Sequence, residues 1–499
     1  MGRNGPWNRV GGGYCGPDNG ATHHGGCGES RGSRTRAAGR MAPWALVAWA
    51  LLAGCASTER RLPPVVASAG GNAVQIEAWT TTSDHRLRLS PSLLAFDPVD
   101  GIADIEVDAG RKYQQMVGFG ASITDASAWL IQQRMTLAQR EKLLRGLFGR
   151  DGDGIGFDFA RLTIGASDFS RSHYSLDDPP DGNPDPALRH FSIDPNRDDV
   201  IPVVQQALLI NPGLKIMASP WSAPAWMKDS GSLVKGTLLD EYNDAFARYL
   251  LAYVDAFARE GIPIFALTVQ NEPDYEPSDY PGMRLNAPAR ARFIAGHLGP
   301  LRDERQPRLQ IFDWDHNWDK PEEPLAVLAD PAAARHVSAV AWHCYNGSVA
   351  VQTRVRDQHP DKDAYLTECS GGDWEPVRSG GLTLQARTLV IGATRHWARG
   401  VLFWNLALDQ QGGPNAGGCQ TCRGIVTIDS ETGEVTRTDD YYALAHASRF
   451  VRRDAWRIGS TETGDGIDNV AFENADDGSR VLVISNSTDA ARRISVREG

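Results

Sequence analysis

From residue 113 onward the chain repeats one texture: a short, nearly unbroken apolar run, a polar tip, then a longer stretch with apolar positions three and four apart. Runs of the first kind fall at 115–123, 157–165, 214–220, 264–271, 309–315, 337–344, 364–368 and 400–406, and read as strands buried on both faces. Amphipathic helical stretches lie at 136–148, 197–210, 239–260, 288–300, 321–334 and 382–398, with Pro288 where a first helical turn accepts it. Eight strands alternating with helices predict an α/β fold, a closed (β/α)8 TIM barrel. An open doubly wound sheet is the competing arrangement. It requires a Gly-rich phosphate turn after the first strand, and Gly118-Phe-Gly-Ala-Ser122 lacks the spacing.

On either side of this region the period shortens to two. Val74–Trp79 and Ile102–Val107 alternate apolar and polar residues, and after 430 a helix over 439–451 is followed by strand-like runs near 466–472 and 479–485. Segments 71–110 and 430–499 are therefore expected to form one side β-sandwich built from both chain ends, with 111–429 as the catalytic barrel. Residues 1–40 are rich in Gly, Arg and Ser and carry no apolar period, so they are not expected to pack. Arg34, Arg36 and Arg40 then precede an apolar run from Met41 to Cys55, which reads as a secretory signal too short to span a bilayer. Its ending, Leu52-Ala-Gly-Cys55, resembles a bacterial lipobox, in which Cys55 is lipidated. The alternative is cleavage at the small residues with Cys55 a bystander. Residues 1–55 are thus a leader and lipoprotein signal and 56–70 a linker. The expected location is outside the cytoplasm, lipid-anchored in a bacterial cell envelope, with membrane contact only through that anchor.

A net charge of −11 argues against nucleic acid or an anionic membrane surface as the main partner. Fourteen Trp and twelve Tyr suit a carbohydrate ligand, whose CH faces stack on aromatic planes, though large cores also contain many Trp. Of seven Cys, Cys15 and Cys27 lie in the leader. Cys419-Gln-Thr-Cys422 has neither a second Cys pair nor a nearby His pair, which speaks against four-ligand zinc. A small loop-locking disulfide is expected there, with free thiols as the alternative. Cys344 and Cys369 are expected to be buried thiols. Asp151-Gly-Asp-Gly154 fails the EF-hand pattern, with Ile155 and Leu162 at ligand positions, and reads as a turn.

The chemistry centres on two carboxylates at the ends of buried runs: Glu272 in Phe265-Ala-Leu-Thr-Val-Gln-Asn-Glu-Pro273 and Glu368 in Ala364-Tyr-Leu-Thr-Glu-Cys-Ser370. A charge at such a position costs free energy unless it is paired or has chemistry to do. In a barrel the C-terminal strand ends share one face. That face also receives Asp125, Trp221, Asn271, His343, Tyr345, Trp404 and Asn405, with Arg161 inside the second strand. Each has a plainer reading. Asp125 suits a helix N-cap, Trp221 and Trp404 suit a core, and His343 suits a satisfied structural histidine. Asp313-Trp-Asp-His-Asn-Trp318 either shapes the leaving-group side or serves packing and loop bonding.

Six motifs in register carry a resemblance: Phe119-Gly-Ala-Ser-Ile-Thr-Asp125, Ser219-Pro-Trp-Ser-Ala-Pro-Ala-Trp226, Val269-Gln-Asn-Glu-Pro273, His343-Cys-Tyr345, Thr367-Glu368, and Phe403-Trp-Asn-Leu-Ala-Leu-Asp409 with Gly412-Gly-Pro-Asn415. From about 73 to 490 the chain resembles glycoside hydrolase family 30, in its glucosylceramidase and β-1,6-glucanase branch. The resemblance implies Glu272 as general acid/base and Glu368 as nucleophile. It implies Asp125, Trp221, Asn271, Trp404 and Asn415 around the terminal sugar, with Tyr345 beside the nucleophile. Retention requires the two carboxyls about 5–5.5 Å apart. Glu272 is then expected to be protonated in the free enzyme, through burial and the charge of Glu368, with Arg161 keeping Glu368 ionised. No metal or organic cofactor is needed. The expected substrate is a β-glucoside, glucosylceramide-like or β-1,6-glucan. The alternatives are a retaining β-xylanase or β-fucosidase type, or a non-catalytic carbohydrate-binding lipoprotein. The family's sandwich continues with further strands after a stretch like Val481–Asn486, whereas this sequence ends at Gly499. A sheet edge is expected to lie open in consequence.

Overall fold

Strands that are apolar on both faces must be covered on both, and the fold achieves this by closing them into a ring. The computed structural model describes residues 76–94, 101–375 and 380–499. The leader, Cys55 and the linker fall outside the described residues. The described chain opens with a hairpin, β1 (Ile76–Thr80) and β2 (Ser90–Leu94), and a long strand, β3 (Ile105–Gln115). The ring follows: β4 (Gly118–Ser122), β5 (Phe159–Ile164), β6 (Lys215–Pro220), β7 (Ala266–Thr268), β8 (Gln310–Asn317), β9 (Val337–His343), β10 (Asp363–Glu368) and β11 (Ala398–Asn405). All neighbours are parallel and β11 closes onto β4. Each of the eight predicted apolar runs coincides with one barrel strand.

The outer helices match their predicted positions, with breaks where local chemistry demands them. Thr136 and Gln139 form a reciprocal capping box at the start of Leu137–Phe148. Asn286 caps Ala287–Phe293, with Pro288 in its first turn. That helix passes through a π segment at Ile294–Leu298, and a second π segment occupies Gln385–Gly392, so the stretches expected at 288–300 and 382–398 are not uniform α-helices. The stretch at 321–334 divides into Glu322–Leu328 and Pro331–Ala334, because Pro331 holds Asp330 extended, where its side chain caps the second piece. No helix among the described residues is long and apolar enough to cross a membrane.

Inside the ring the side chains stack in layers two residues apart. The floor is Phe159, Met217, Ala266, Phe312, Ala339, Tyr365 and Leu402. Two positions further along, Arg161, Ser219, Thr268 and Thr367 form a polar layer. In β8 the register slips between Trp314 and His316, and Trp314 and Asp315 adopt φ of 76° and 54°. The slip turns Asp315 inward instead of Trp314.

Beyond the ring, β12 (Ala407–Leu408), β13 (Val426–Ile428) and β14 (Val435–Arg437) make a small sheet. A five-stranded sheet then assembles β15 (Trp456–Ser460), β16 (Ile467–Glu473), β17 (Arg480–Asn486) and β18 (Val496–Glu498) in the order β17-β16-β15-β3-β18. Both ends of the described chain contribute to it, as expected, through β3. The alternating run at 74–79 does not join: β1 pairs only with β2. This hairpin packs instead on the helix Asp439–Ser448 and its end, through His446 Nε2 to Thr81 Oγ1 at 2.8 Å and the rings of Trp79 and Phe450.

The four cysteines of the folded region are paired. Cys419–Cys422 forms the expected loop disulfide. Cys344 and Cys369 are not free thiols but a second disulfide, with Cα atoms 5.4 Å apart. The cause is register: His343 lies opposite Glu368 on adjacent parallel strands, so the residues that follow them emerge side by side.

Candidate active site

A guanidinium sealed from the surface organises the mouth of the barrel. Arg161 is fully buried. Its Nη1 donates to Glu368 Oε2 at 2.5 Å, its Nη2 to Asp315 Oδ2 and Asn271 Oδ1, each at 2.8 Å, and its Nε to Ser219 Oγ. Trp221 and Trp404, stacked with centroids 4.9 Å apart, lie against the same guanidinium. Asp315 gathers further donors: Ser219, Thr268 and Thr367 hydroxyls and His343 Nε2 at 3.0 Å. Burial alone would raise its pKa, but Arg161, His343 and Thr367 hold the carboxyl well below the usual range.

The two glutamates rise from this layer. Glu368 ends β10, and its Oε1 accepts from the Tyr345 hydroxyl at 2.9 Å. Tyr345 is 44% exposed, yet its hydroxyl reaches inward. Burial there and the charges of Glu368 and Glu272 keep the phenol protonated far above its usual range. Glu272 follows β7 at a left-handed φ of 47°, its N–H bonded to the Asp315 carbonyl. Such backbone strain concentrates where surrounding structure fixes a functional side chain. His343 Nδ1 lies 3.1 Å from Glu272 Oε1 and 3.9 Å from Glu368 Oε1. The shared nitrogen limits the separation of those two oxygens to about 7 Å, which excludes opposite rims.

The expected protonation of Glu272 is reversed. Burial pushes its pKa up, but His316 and His343, converging on Oε1 from β8 and β9, pull it well below the usual carboxylate range. Burial opposes charge on the rings in turn. For His316, Glu272 and Asp274 overcome that penalty and push the pKa up to about 10. His343 is raised by Glu368, Asp315 and Glu272. These opposed shifts favour a proton on the imidazoles over one on Glu272, and the cluster titrates as a unit.

Of the remaining predicted residues, Asn271 joins Arg161, Trp221 and Trp404 lie buried against the same guanidinium, and Asp125 has other partners. It is the first residue of a helix capped by Thr124, and its carboxylate is taken up by Arg171 and Tyr174. A different aspartate faces the pair. Asp168 is buried in the loop after β5, and burial together with the charges of Glu368 and Glu272 raises its pKa well above normal. Its backbone carbonyl accepts from Ala416 N–H, and Gly418, at φ 71°, packs so closely that a side chain there would strike the Asp168 Cβ. Asn415 sits in that same loop, half-buried, bonded to Gln420. Tyr280, whose phenol is likewise pushed far up by burial and by Asp168 and Glu272, packs against the apolar cluster that contains the two tryptophans. Asp168 and Tyr280 were missed because each lies some residues beyond a strand end. Position after β5 was the available signal for Asp168.

Two carboxylates within reach of one histidine at the C-terminal mouth of a (β/α)8 barrel, together with the family match over that barrel, make this protein a glycoside hydrolase that takes a carbohydrate or glycolipid substrate. The chain belongs to glycoside hydrolase family 30. The family's TIM-barrel domain matches residues 116–451 and its β-sandwich domain residues 454–499. An endo-1,6-β-D-glucanase of Neurospora crassa is 34% identical over 440 residues, covering 83% of this chain and 89% of the relative. The lysosomal acid glucosylceramidase of Mus musculus is 28% identical, covering 86% of this chain and 85% of the relative. Among solved structures, the endo-β1,6-glucanase BT3312 superposes with a TM-score of 0.79 at 32% identity, covering 84% of this chain and 94% of that one.

Removing one partner of a buried ion pair strands the other charge, at a cost of about 3–5 kcal/mol. Asp315→Ala is expected to lower the unfolding free energy by about that amount, measured by urea denaturation. A loss below about 1 kcal/mol would contradict the central place given to this carboxylate.

Proposed function

We propose that Glu368 is the nucleophile and Glu272 the acid/base of a double displacement, and that the substrate is a β-1,6-linked glucan cut within the chain. The observation that carries the mechanism is the meeting of both carboxylates at His343 Nδ1, with Arg161 on one and imidazoles on the other. Arg161 and Tyr345 occupy the two oxygens of Glu368 and orient it for attack on the anomeric carbon. The leaving oxygen is protonated through Glu272, and the adjacent imidazoles hold the proton it delivers. Once Glu368 is esterified its charge is gone, and Glu272 acts as base towards the incoming water. Asn271, anchored by Arg161 through its oxygen, keeps its amide N–H groups for a sugar hydroxyl. Asp168, kept protonated by its surroundings, donates to another.

The glucan reading is supported by the 34% identity to a fungal endo-1,6-β-D-glucanase and the 32% identity to BT3312, against 28% for the mouse glucosylceramidase. Export and a lipid on Cys55 are inferred from the apolar run Met41–Cys55 and its Leu-Ala-Gly-Cys ending.

Glu368→Ala is expected to lower hydrolysis roughly 10⁴-fold or more. Azide should restore turnover and yield a glycosyl azide of inverted configuration; unchanged hydrolysis in the variant would remove Glu368 from the reaction. On β-1,6-glucan the wild type should release oligosaccharides of mixed length. Cleavage of glucosylceramide and short β-glucosides without attack on the polymer would refute the glucan and leave the double displacement standing. Metabolic labelling with an alkyne fatty acid should mark the wild-type chain in a bacterial host and not Cys55→Ser. Equal labelling of both would refute the anchor.

A further inference from the structure

Besides holding a proton, two imidazoles and a carboxylate converge on one point beside the reaction. Nδ1 of His343 and Nδ1 of His316 both face Oε1 of Glu272, at 3.1 and 3.4 Å, and the three atoms lie within 4.8 Å of one another. The far nitrogen of each ring is already committed. His343 Nε2 meets Asp315 Oδ1 at 3.0 Å, and His316 Nε2 meets Asp274 Oδ1 at 2.8 Å. A carboxylate only accepts, so both Nε2 atoms carry hydrogens, and in the neutral rings both Nδ1 atoms turn lone pairs towards a carboxylate oxygen. Three electron-rich atoms in a buried pocket require positive charge between them. Protons on the two rings supply it in the free protein, and a single cation in their place would meet all three atoms; among the described residues His316 Nδ1, though buried, forms no well-aligned hydrogen bond.

We propose that Glu272, His316 and His343 form a binding site for one borderline divalent transition-metal ion, of which Zn²⁺ is the representative, and that its occupancy reversibly blocks hydrolysis. Tetrahedral zinc with bonds of about 2.0–2.1 Å to nitrogen and oxygen sets its ligand atoms roughly 3.3 Å apart, close to the 3.1 and 3.4 Å found here. A carboxylate on the remote nitrogen of each histidine is the arrangement that fixes ring orientation and tautomer in metal sites, and Asp315 and Asp274 supply it. Hard ions such as Mg²⁺ and Ca²⁺ want six or more oxygen ligands, which two imidazoles and one carboxylate do not offer. A metal on Glu272 Oε1 ties up the carboxylate and both proton-holding rings, so leaving-group protonation stops. Only this inhibitory half rests on Glu272 as acid/base; binding itself does not.

Titration calorimetry of the full chain with ZnCl₂ at neutral pH is expected to show a site that is lost, or weakened roughly 100-fold, in both His316→Gln and Glu272→Gln. Both variants should keep the wild-type circular dichroism, and Mg²⁺ should give no such site. Hydrolysis of an aryl β-glucoside by the wild type should fall with the same midpoint and return on adding EDTA. No saturable zinc binding by the wild type, undiminished affinity in folded His316→Gln, or Mg²⁺ bound as well as Zn²⁺ would each overturn the site. If zinc binds as stated but Glu272→Gln hydrolyses normally, the acid/base assignment falls and the metal site stands. If Glu272→Gln is inactive and the wild type binds no zinc, the metal site falls alone.

Discussion

An arginine cannot shed its proton inside a protein, so burying Arg161 in the barrel obliges the neighbouring strands to supply anions and acceptors in fixed directions. Asp315 answers from β8, Glu368 from β10, Asn271 from beyond β7 and Ser219 from β6. Each of these groups is thereby aimed. The apolar floor beneath keeps water out, so the attraction between these charges is weakly screened. Any change to one partner propagates to the others through a charge that cannot be neutralised.

The charges of the mouth close into a balanced set. Glu272, Glu368, Asp315 and Asp274 face Arg161, Lys320 and the rings of His316 and His343. No cation pairs with the Asp168 side chain among the described residues, and it is the carboxyl whose surroundings favour the neutral form. Neutral acid and ionised acid thus sit in one cleft, separated by which of them meets a positive partner.

The chain pattern revealed a good part of this and hid the rest for identifiable reasons. Apolar runs with polar tips located all eight strands, and a strand-end rule located Glu272 and Glu368, because both signals are local. The same rule selected Asp125, whose carboxylate is held by Arg171 and Tyr174 from the loop after β5, and passed over Asp168, which the 416–418 segment beyond β11 braces. The protonation of Glu272 could not be read from burial alone, since it depends on two rings arriving from different strands. Alternation at 74–79 revealed a strand but not its partner, and the partner proved to be its own hairpin mate. Cys344 and Cys369 were separable in sequence and inseparable in space, because adjacency of the sixth and seventh strands matters only once the ring is closed.

That cross-link has a bearing on where the enzyme can mature. It joins the residues directly after His343 and Glu368, so the ends of the two strands that carry them are tied covalently. In a reducing cytosol these ends would be held by hydrogen bonds and packing alone. A bond of this kind forms under oxidising conditions, so the redox character of the surroundings decides how firmly these two strand ends are held.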